Sequence, residues 1–198
     1  MLNEPPDQNT SFSRLLRPQS IAVIGGKEAA NVIEQCQLIQ FDGAIWPVHP
    51  TKMSVHGLPA YCSIDDLPGV PDAAFVAVNR QSSIAIIAAL RKIGTGGVIC
   101  YASGFTESDA EGGALQQALL DAAGEMPVIG PNCYGLLNYM DGVALWPDQH
   151  GGKRLNQGEK GVAIITQSSN IAISMTMPRR ALPLAYVITV GNQAQAGI

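Results

Sequence analysis

The chain has 198 residues, 46% of them hydrophobic and only 14% charged, with a formal net charge of −4. This composition supports a sizeable core in one or two domains, and the charge gives no reason to expect nucleic acid or an anionic membrane as partner. No apolar run is long enough to span a bilayer, and the start, Met1-Leu2-Asn3-Glu4-Pro5-Pro6-Asp7, lacks the basic and apolar regions of a secretion signal, so a cytoplasmic protein is expected. Cys36, Cys62, Cys100 and Cys133 are scattered, without a C-x-x-C pair. That spacing fits reduced thiols, and neither they nor the three histidines have the spacing of metal ligands.

Residues 1–14 are polar and proline-bearing and are expected to be flexible. Leu15-Leu16-Arg17-Pro18 reads as a short turn into a first strand at 20–24, a β-branched run that stops at Gly25-Gly26. A helix at 28–40 follows at once, with Ala29, Val32, Ile33, Cys36 and Gln40 at helical spacing, closed by Asp42-Gly43. A buried strand running through a glycine turn into a helix is the opening unit of a nucleotide-binding α/β domain, although the full G-x-G-x-x-G fingerprint is absent. Glycine permits the tight turn, and the free N–H groups of the helix start can meet a phosphate.

A second strand at 44–48 leads into the loop His49-Pro50-Thr51-Lys52. A short extended piece at 57–61 and one helical turn at 63–67 precede a strongly apolar strand at 73–78. A helix at 82–93 and a strand at 97–101 come next. Ser108, with Glu111 three positions on, predicts a capping box opening a helix that buries Leu115, Ala118, Leu119 and Ala122. A short strand at 127–130 ends the series. Alternating strands and helices with short connections predict a mostly parallel sheet with right-handed crossovers.

Gly130-Pro131-Asn132-Cys133-Tyr134-Gly135 breaks this rhythm, and a domain boundary is placed there: 15–130 as one α/β domain, 131–198 as the start of another. Beyond it the pattern predicts a strand at 161–165, a polar turn at 166–170 opening a helix that is interrupted near Pro178, and a strand at 185–190 ending at Gly191-Asn192-Gln193. Two strands and a helix do not make a stable domain, so either this second unit is incomplete or the segment completes a sheet in some unusual way.

The residue type after the second strand bears on the ligand. NAD sites place a carboxylate there for the ribose hydroxyls; this chain has Val48-His49-Pro50-Thr51-Lys52, with a cation instead. A cation suits a ribose carrying a phosphate, as in NADP or coenzyme A. Ligands in open α/β sheets bind at carboxyl ends of strands, which adds Asn79, Arg80, Ala102, Ser103 and Gly104 as candidates, Arg80 for a diphosphate.

Five segments then occur in the order seen in NDP-forming acyl-CoA synthetases: residues 16–25 (Leu16-Arg17-Pro18 through Gly25), Pro47-Val48-His49-Pro50, residues 102–107 (Ala102-Ser103-Gly104-Phe105), Ile129-Gly130-Pro131-Asn132-Cys133, and residues 164–169 ending Gln167-Ser168-Ser169. The chain resembles that family, which includes ADP-forming acetyl-CoA synthetase and the α subunit of succinyl-CoA synthetase, over nearly its whole length. The resemblance implies a Rossmann-like CoA-binding domain at 15–130 and the first part of a flavodoxin-like ligase domain at 131–198. It implies coenzyme A as ligand, a small carboxylic acid or its acyl-CoA as substrate, an ATP-grasp domain or subunit as partner, and an oligomer in the intact enzyme. By the same resemblance Gly25, Gly26 and Lys27 match a CoA phosphate loop, shorter and poorer in glycine than usual, and Lys52 matches a CoA-contacting lysine. Tyr101, Ala102 and Ser103 match a CoA-contacting segment, and Asn79-Arg80 replaces a proline-bearing turn. Gln167, Ser168 and Ser169 match a helix start facing a phosphohistidine, and Gly191 and Asn192 match a second phosphate-site loop.

The family's phosphohistidine has no match among His49, His56 and His150, so no catalytic residue is assigned here and the 198 residues alone are expected not to turn over. Ile173 stands where succinyl-CoA synthetase has a tyrosine near its acyl site, which leaves the acyl group open. Two rival readings are an NADP-dependent oxidoreductase domain and a non-catalytic CoA-binding regulatory module.

Overall fold

The computed structural model describes residues 11–177 and 182–195. Helix α1 (Ser11–Leu16) leads into β1 (Ser20–Gly25), α2 (Lys27–Leu38) and β2 (Ala44–Val48). A small hairpin, β3 (Ser54–Val55) and β4 (Leu58–Pro59), turns through His56 and Gly57, both at positive φ. A 3₁₀ turn (Ile64–Asp66) precedes β5 (Ala73–Ala77), α3 (Arg80–Lys92), β6 (Val98–Cys100), α4 (Gly112–Ala123) and β7 (Val128–Ile129). The second part contains β8 (Leu136–Asn138), β9 (Val143–Leu145), β10 (Val162–Thr166), α5 (Ser169–Thr176) and β11 (Leu184–Thr189).

The first sheet is parallel throughout, in the order β2-β1-β5-β6-β7. Alternation along its strands explains its two cores. Ile21, Val23, Phe75, Ile99 and Ile129 point to the face covered by α2, whereas Ala22, Ile24, Ala74, Val76 and Val98 point to the face covered by α3 and α4. The chain reverses direction of travel across the sheet between β1 and β5, and in doubly wound sheets that switch opens a crevice at the carboxyl edge.

The second sheet has the order β10-β11-β8-β9, with β10 parallel to β11 and the other pairs antiparallel. Its core is continuous with the α2 face of the first sheet, so Leu15, Val32 and Cys36 belong to the same apolar cluster as Leu137, Tyr139, Trp146 and Val187. Polar ties cross the same seam. The Asn31 amide donates to the Pro147 carbonyl (3.0 Å), and the Asn138 amide donates to the Leu16 carbonyl (2.9 Å).

Several expectations are corrected. Residues 11–14, expected to be loose, belong to α1, where Arg14 pairs with Asp72 at 2.7 Å and donates to the carbonyls of Pro71 and Gly94; residues 1–10 lie outside the described residues. The first helix ends at Leu38 rather than Gln40, because Gln40 takes positive φ and Phe41 N–H returns to the Cys36 carbonyl. The Ser108–Glu111 capping box does not form. Glu107 takes the N–H groups of Gly104 and Phe105, Asp109 takes that of Glu111, and the helix opens only at Gly112. The second unit is not two strands and a helix, since the β8–β9 hairpin adds two antiparallel strands. The break predicted near Pro178 lies outside the described residues; α5 is described to Thr176.

Candidate functional site

Gly25 and Gly26 set the geometry at the carboxyl edge of β1. Gly25 has φ +138°, and a Cβ there would run into the Ala77 backbone, so only glycine lets the turn lie against β5. Gly26 is the N-cap of α2 and has open space above it. Among the described residues no side chain caps this helix, which leaves its first N–H groups available to an anion.

Beside this turn lies a mainly apolar cavity of about 550 Å³. Its floor is Ile24, Gly25, Gly26 and Val48; one wall is Val78, Ser82, Ile86 and Ala89 from the β5–α3 unit; the other is His49, Pro50 and the segment 62–65 with the 3₁₀ turn. The cavity therefore occupies the crevice at the β1–β5 switch. His49 shapes the loop above it, because its Nδ1 accepts the N–H groups of Thr51 (3.3 Å) and Lys52 (3.2 Å) while its own N–H donates to the Tyr61 carbonyl. Lys52 stands exposed on that loop with no side-chain partner among the described residues, next to the lining residues His49 and Pro50.

Of the other residues singled out in the sequence, Lys27 is exposed in the first turn of α2. Asn79 caps α3, its side chain accepting the Ser82 N–H at 2.9 Å. Arg80 is spent within the protein: it donates to the Gly104 carbonyl at 2.6 Å, pairs with Asp109 at 2.9 Å and reaches Glu111 at 3.6 Å. Neither lines the cavity. Ala102 is buried, Ser103 exposed, and Tyr101 half-buried in a row of rings that runs from Phe75 through Tyr101 and Tyr134 to Trp146. Burial, with Glu28 second, pushes the Tyr101 phenol above its ordinary pKa. Sequence reasoning missed Cys62, Ile64, Ser82 and Ile86 as cavity residues. Apolar side chains facing a crevice carry the same signal as side chains facing a core.

In the second part, Ser168 is the N-cap of α5, its hydroxyl accepting the Ile171 N–H, with Ser169 beginning the helix and Gln167 exposed before it. Gly191 packs where a Cβ would strike the Pro131 and Asn132 carbonyls, at φ +56°. The Asn192 amide donates to the Glu107 carboxylate, lies within 3.3 Å of both Thr106 Oγ1 and Gln116 Oε1, and accepts from Asn132 at 3.4 Å. The loop after β11 is thus tied to the loop after β6 by one side chain. Among the described residues, no group of three or more His, Cys, Asp or Glu could hold a metal ion, and no helix is long and apolar enough to cross a membrane.

This is a Rossmann-like α/β fold with a parallel five-stranded sheet, followed by a four-stranded mixed sheet. The chain belongs to the CoA binding domain family, whose profile matches residues 19–139. It is 32% identical over 199 residues to a trans-feruloyl-CoA synthase from an unknown prokaryotic organism, a match covering 96% of this chain and 28% of that protein. It is 28% identical to the α subunit of ADP-forming acetate–CoA ligase II of Pyrococcus furiosus, over 89% of this chain and 39% of the relative. Among solved structures it resembles the apo form of dinucleotide forming acetyl-coenzyme A synthetase 1 of Ca. Korarchaeum cryptofilum, with TM-score 0.83 and 25% identity over 94% of this chain and 41% of that one. The chain is thus homologous to the N-terminal part of NDP-forming acyl-CoA synthetases, and it spans well under half the length of these relatives.

Proposed function

We propose that this chain is the CoA-binding portion of a cytoplasmic NDP-forming acyl-CoA synthetase. The reaction is the conversion of a small carboxylic acid, CoA and a nucleoside triphosphate to acyl-CoA, nucleoside diphosphate and phosphate. It runs through an acyl phosphate and a phosphohistidine, with an ATP-grasp unit as partner in an oligomeric enzyme. The carrying observation is the cavity at the β1–β5 switch, with the uncapped start of α2 on one side and the unpaired Lys52 loop on the other.

Residues 15–130 form the CoA domain in this reading and residues 131–198 the start of the ligase domain. The apolar slot between Ile64 and Ile86 takes the adenine ring, with the Asp65 carboxylate at hand for its exocyclic amine. The diphosphate lies over Gly25, Gly26 and Lys27, where free N–H groups favour an anion. Lys52 meets the phosphate on the ribose, and the pantetheine arm leaves past Tyr101, Ala102 and Ser103. Asn79 and Arg80 contribute by shaping the edge rather than by touching the ligand. Gln167, Ser168 and Ser169 form one side of a phosphoryl site and Gly191-Asn192 the other, with Asn192 as the strut that holds its loop. An NADP-dependent oxidoreductase would account for the first sheet and Lys52, but not for a likeness to synthetases that continues through residues 162–193.

The exposed thiol of Cys62 borders the cavity, whereas Cys36, Cys100 and Cys133 are buried. Burial pushes the thiols of Cys36 and Cys100 up to about 12. A thiol reagent near neutral pH should therefore modify Cys62 alone, and CoA should protect it more strongly than NAD or NADP. Lys52→Ala should weaken that protection by roughly 1.5–3 kcal/mol in CoA affinity, the scale of a charge-assisted hydrogen bond. Stronger protection by NADP than by CoA would overturn the proposal.

A further inference from the structure

A second cavity, of about 560 Å³, lies between the last turn of α2 and the loop formed by residues 149–154. It is at the opposite end of α2 from Gly26, and twelve helical residues set the two cavities roughly 18 Å apart. Nothing in the proposed CoA chemistry uses it.

Gln35 borders this cavity and is 5% exposed, yet its side-chain amide has no hydrogen-bond partner among the described residues. Among the described residues the fully enclosed side-chain atoms without a partner are Thr95 Oγ1 and Trp146 Nε1, neither at this cavity, so the Gln35 amide is open to the cavity and free to meet a ligand there. The rest of the lining has a consistent sign. Gln40, Gln149, His150, Lys153 and Arg154 contribute amides, an imidazole and two cations, and no carboxylate lines the space.

The end of α2 accounts for one of the two cations, Arg154, and leaves Lys153 without a partner among the described residues. The carbonyls of Gln35, Cys36 and Gln37 already accept the N–H groups of Ile39, Phe41 and Gln40. Arg154 donates to the Gln40 carbonyl at 3.1 Å and lies 3.7 Å from the exposed Asp42, while Lys153 has no partner among the described residues. His150 is held as a wall of the cavity: its Nδ1 is 3.1 Å from the Tyr139 hydroxyl, and the two rings meet edge to face. Burial keeps its pKa below the ordinary value, so the positive charge here comes from Lys153 and Arg154.

We propose that this cavity binds a small ligand bearing a carboxylate or phosphate group, with Lys153 supplying the charge, Arg154 closing the loop over it and the Gln35 amide donating to its oxyanion. The site stands whether or not the other cavity takes CoA.

Inorganic phosphate and succinate serve as probes of the two oxyanion types, titrated into the full chain and followed by NMR at the Gln35 side-chain amide and residues 149–154. Saturable binding of at least one probe is expected, with shifts at both places. Lys153→Ala should weaken it roughly tenfold or more, Lys153→Arg should retain it, and Gln35→Met should weaken it without unfolding the chain. CoA affinity should be unchanged in all three variants. Which probe binds identifies the group recognised. Failure of both to saturate at tens of millimolar, or equal binding by wild type, Lys153→Ala and Gln35→Met, overturns the proposal.

Discussion

The two sheets are built from the same kind of sequence and end in different states. In the first, β1 and β5 are buried along almost their whole length, with helices or the second sheet covering both faces. In the second, β11 is buried but β10 is an open edge. Val162, Ile165, Ile171, Met175, Met177 and Leu182 are exposed around it. The first sheet closes one face with its own helices α3 and α4, shares the other with the second sheet, and carries the proposed CoA cavity on its edge. The second is folded by what it borrows, since its inner face is completed by α2 and by residues of α1 and β1. Apolar alternation is therefore a statement about what a strand can bury, and the neighbours decide what it does bury.

The largest expected effect tests that contrast directly. Phe75→Ala empties a fully buried position at the centre of the first sheet and should cost about 3–5 kcal/mol. Ile165→Ala, at a 59% exposed position on β10, should change stability by no more than about 0.5 kcal/mol. Urea unfolding measures both, and equal losses would abolish the distinction between the sheets.

The seam comes next. Buried Asn138 donates to the Leu16 carbonyl and to Asp141 and accepts the N–H groups of Met140 and Asp141. Asn138→Ala leaves these groups unpaired and should cost about 1–3 kcal/mol. If the two sheets share one core as described, the variant keeps a single unfolding transition at a lower midpoint. Two separated transitions would mean that the sheets fold independently.

The smallest effect is pH-dependent. Burial raises the Glu107 pKa, but the Asn192 amide and the N–H groups of Gly104 and Phe105 outweigh it, and the net shift is downward. A carboxylate whose folded pKa is depressed contributes stability above its unfolded pKa and loses it as pH falls through the folded value. Glu107 is mostly solvent-accessible, so its share should be under about 1 kcal/mol. Glu107→Gln should flatten the acid side of the stability profile slightly, and an unchanged profile would remove Glu107 as the charged partner of Asn192.

Much of the first sheet was legible because each of its strands is a short, mainly apolar run bounded by glycine, proline or a polar turn. The β8–β9 hairpin was not. Its strands are only three residues long, and its turn signal, Asp141-Gly142 with Gly142 at positive φ, sits at the end of a four-residue connection rather than in a two-residue turn between longer alternating runs. The capping box failed because the nearby Glu107 and Asp109 carboxylates took neighbouring backbone donors first.

The sequence by itself determined the alternation of strands and helices in the first sheet, the Gly25 turn, the cation in place of an NAD-type carboxylate, and the polar helix start at Ser168. These depend on backbone sterics and on residues within a few positions of one another. The tertiary structure alone decided that Arg80 braces Asp109, that Asn192 reaches Glu107, that Ile64 and Ile86 face one cavity, and that Gln35 borders another. Each depends on a group far away in the chain, and hydrophobicity and local propensity carry no record of which distant group will arrive.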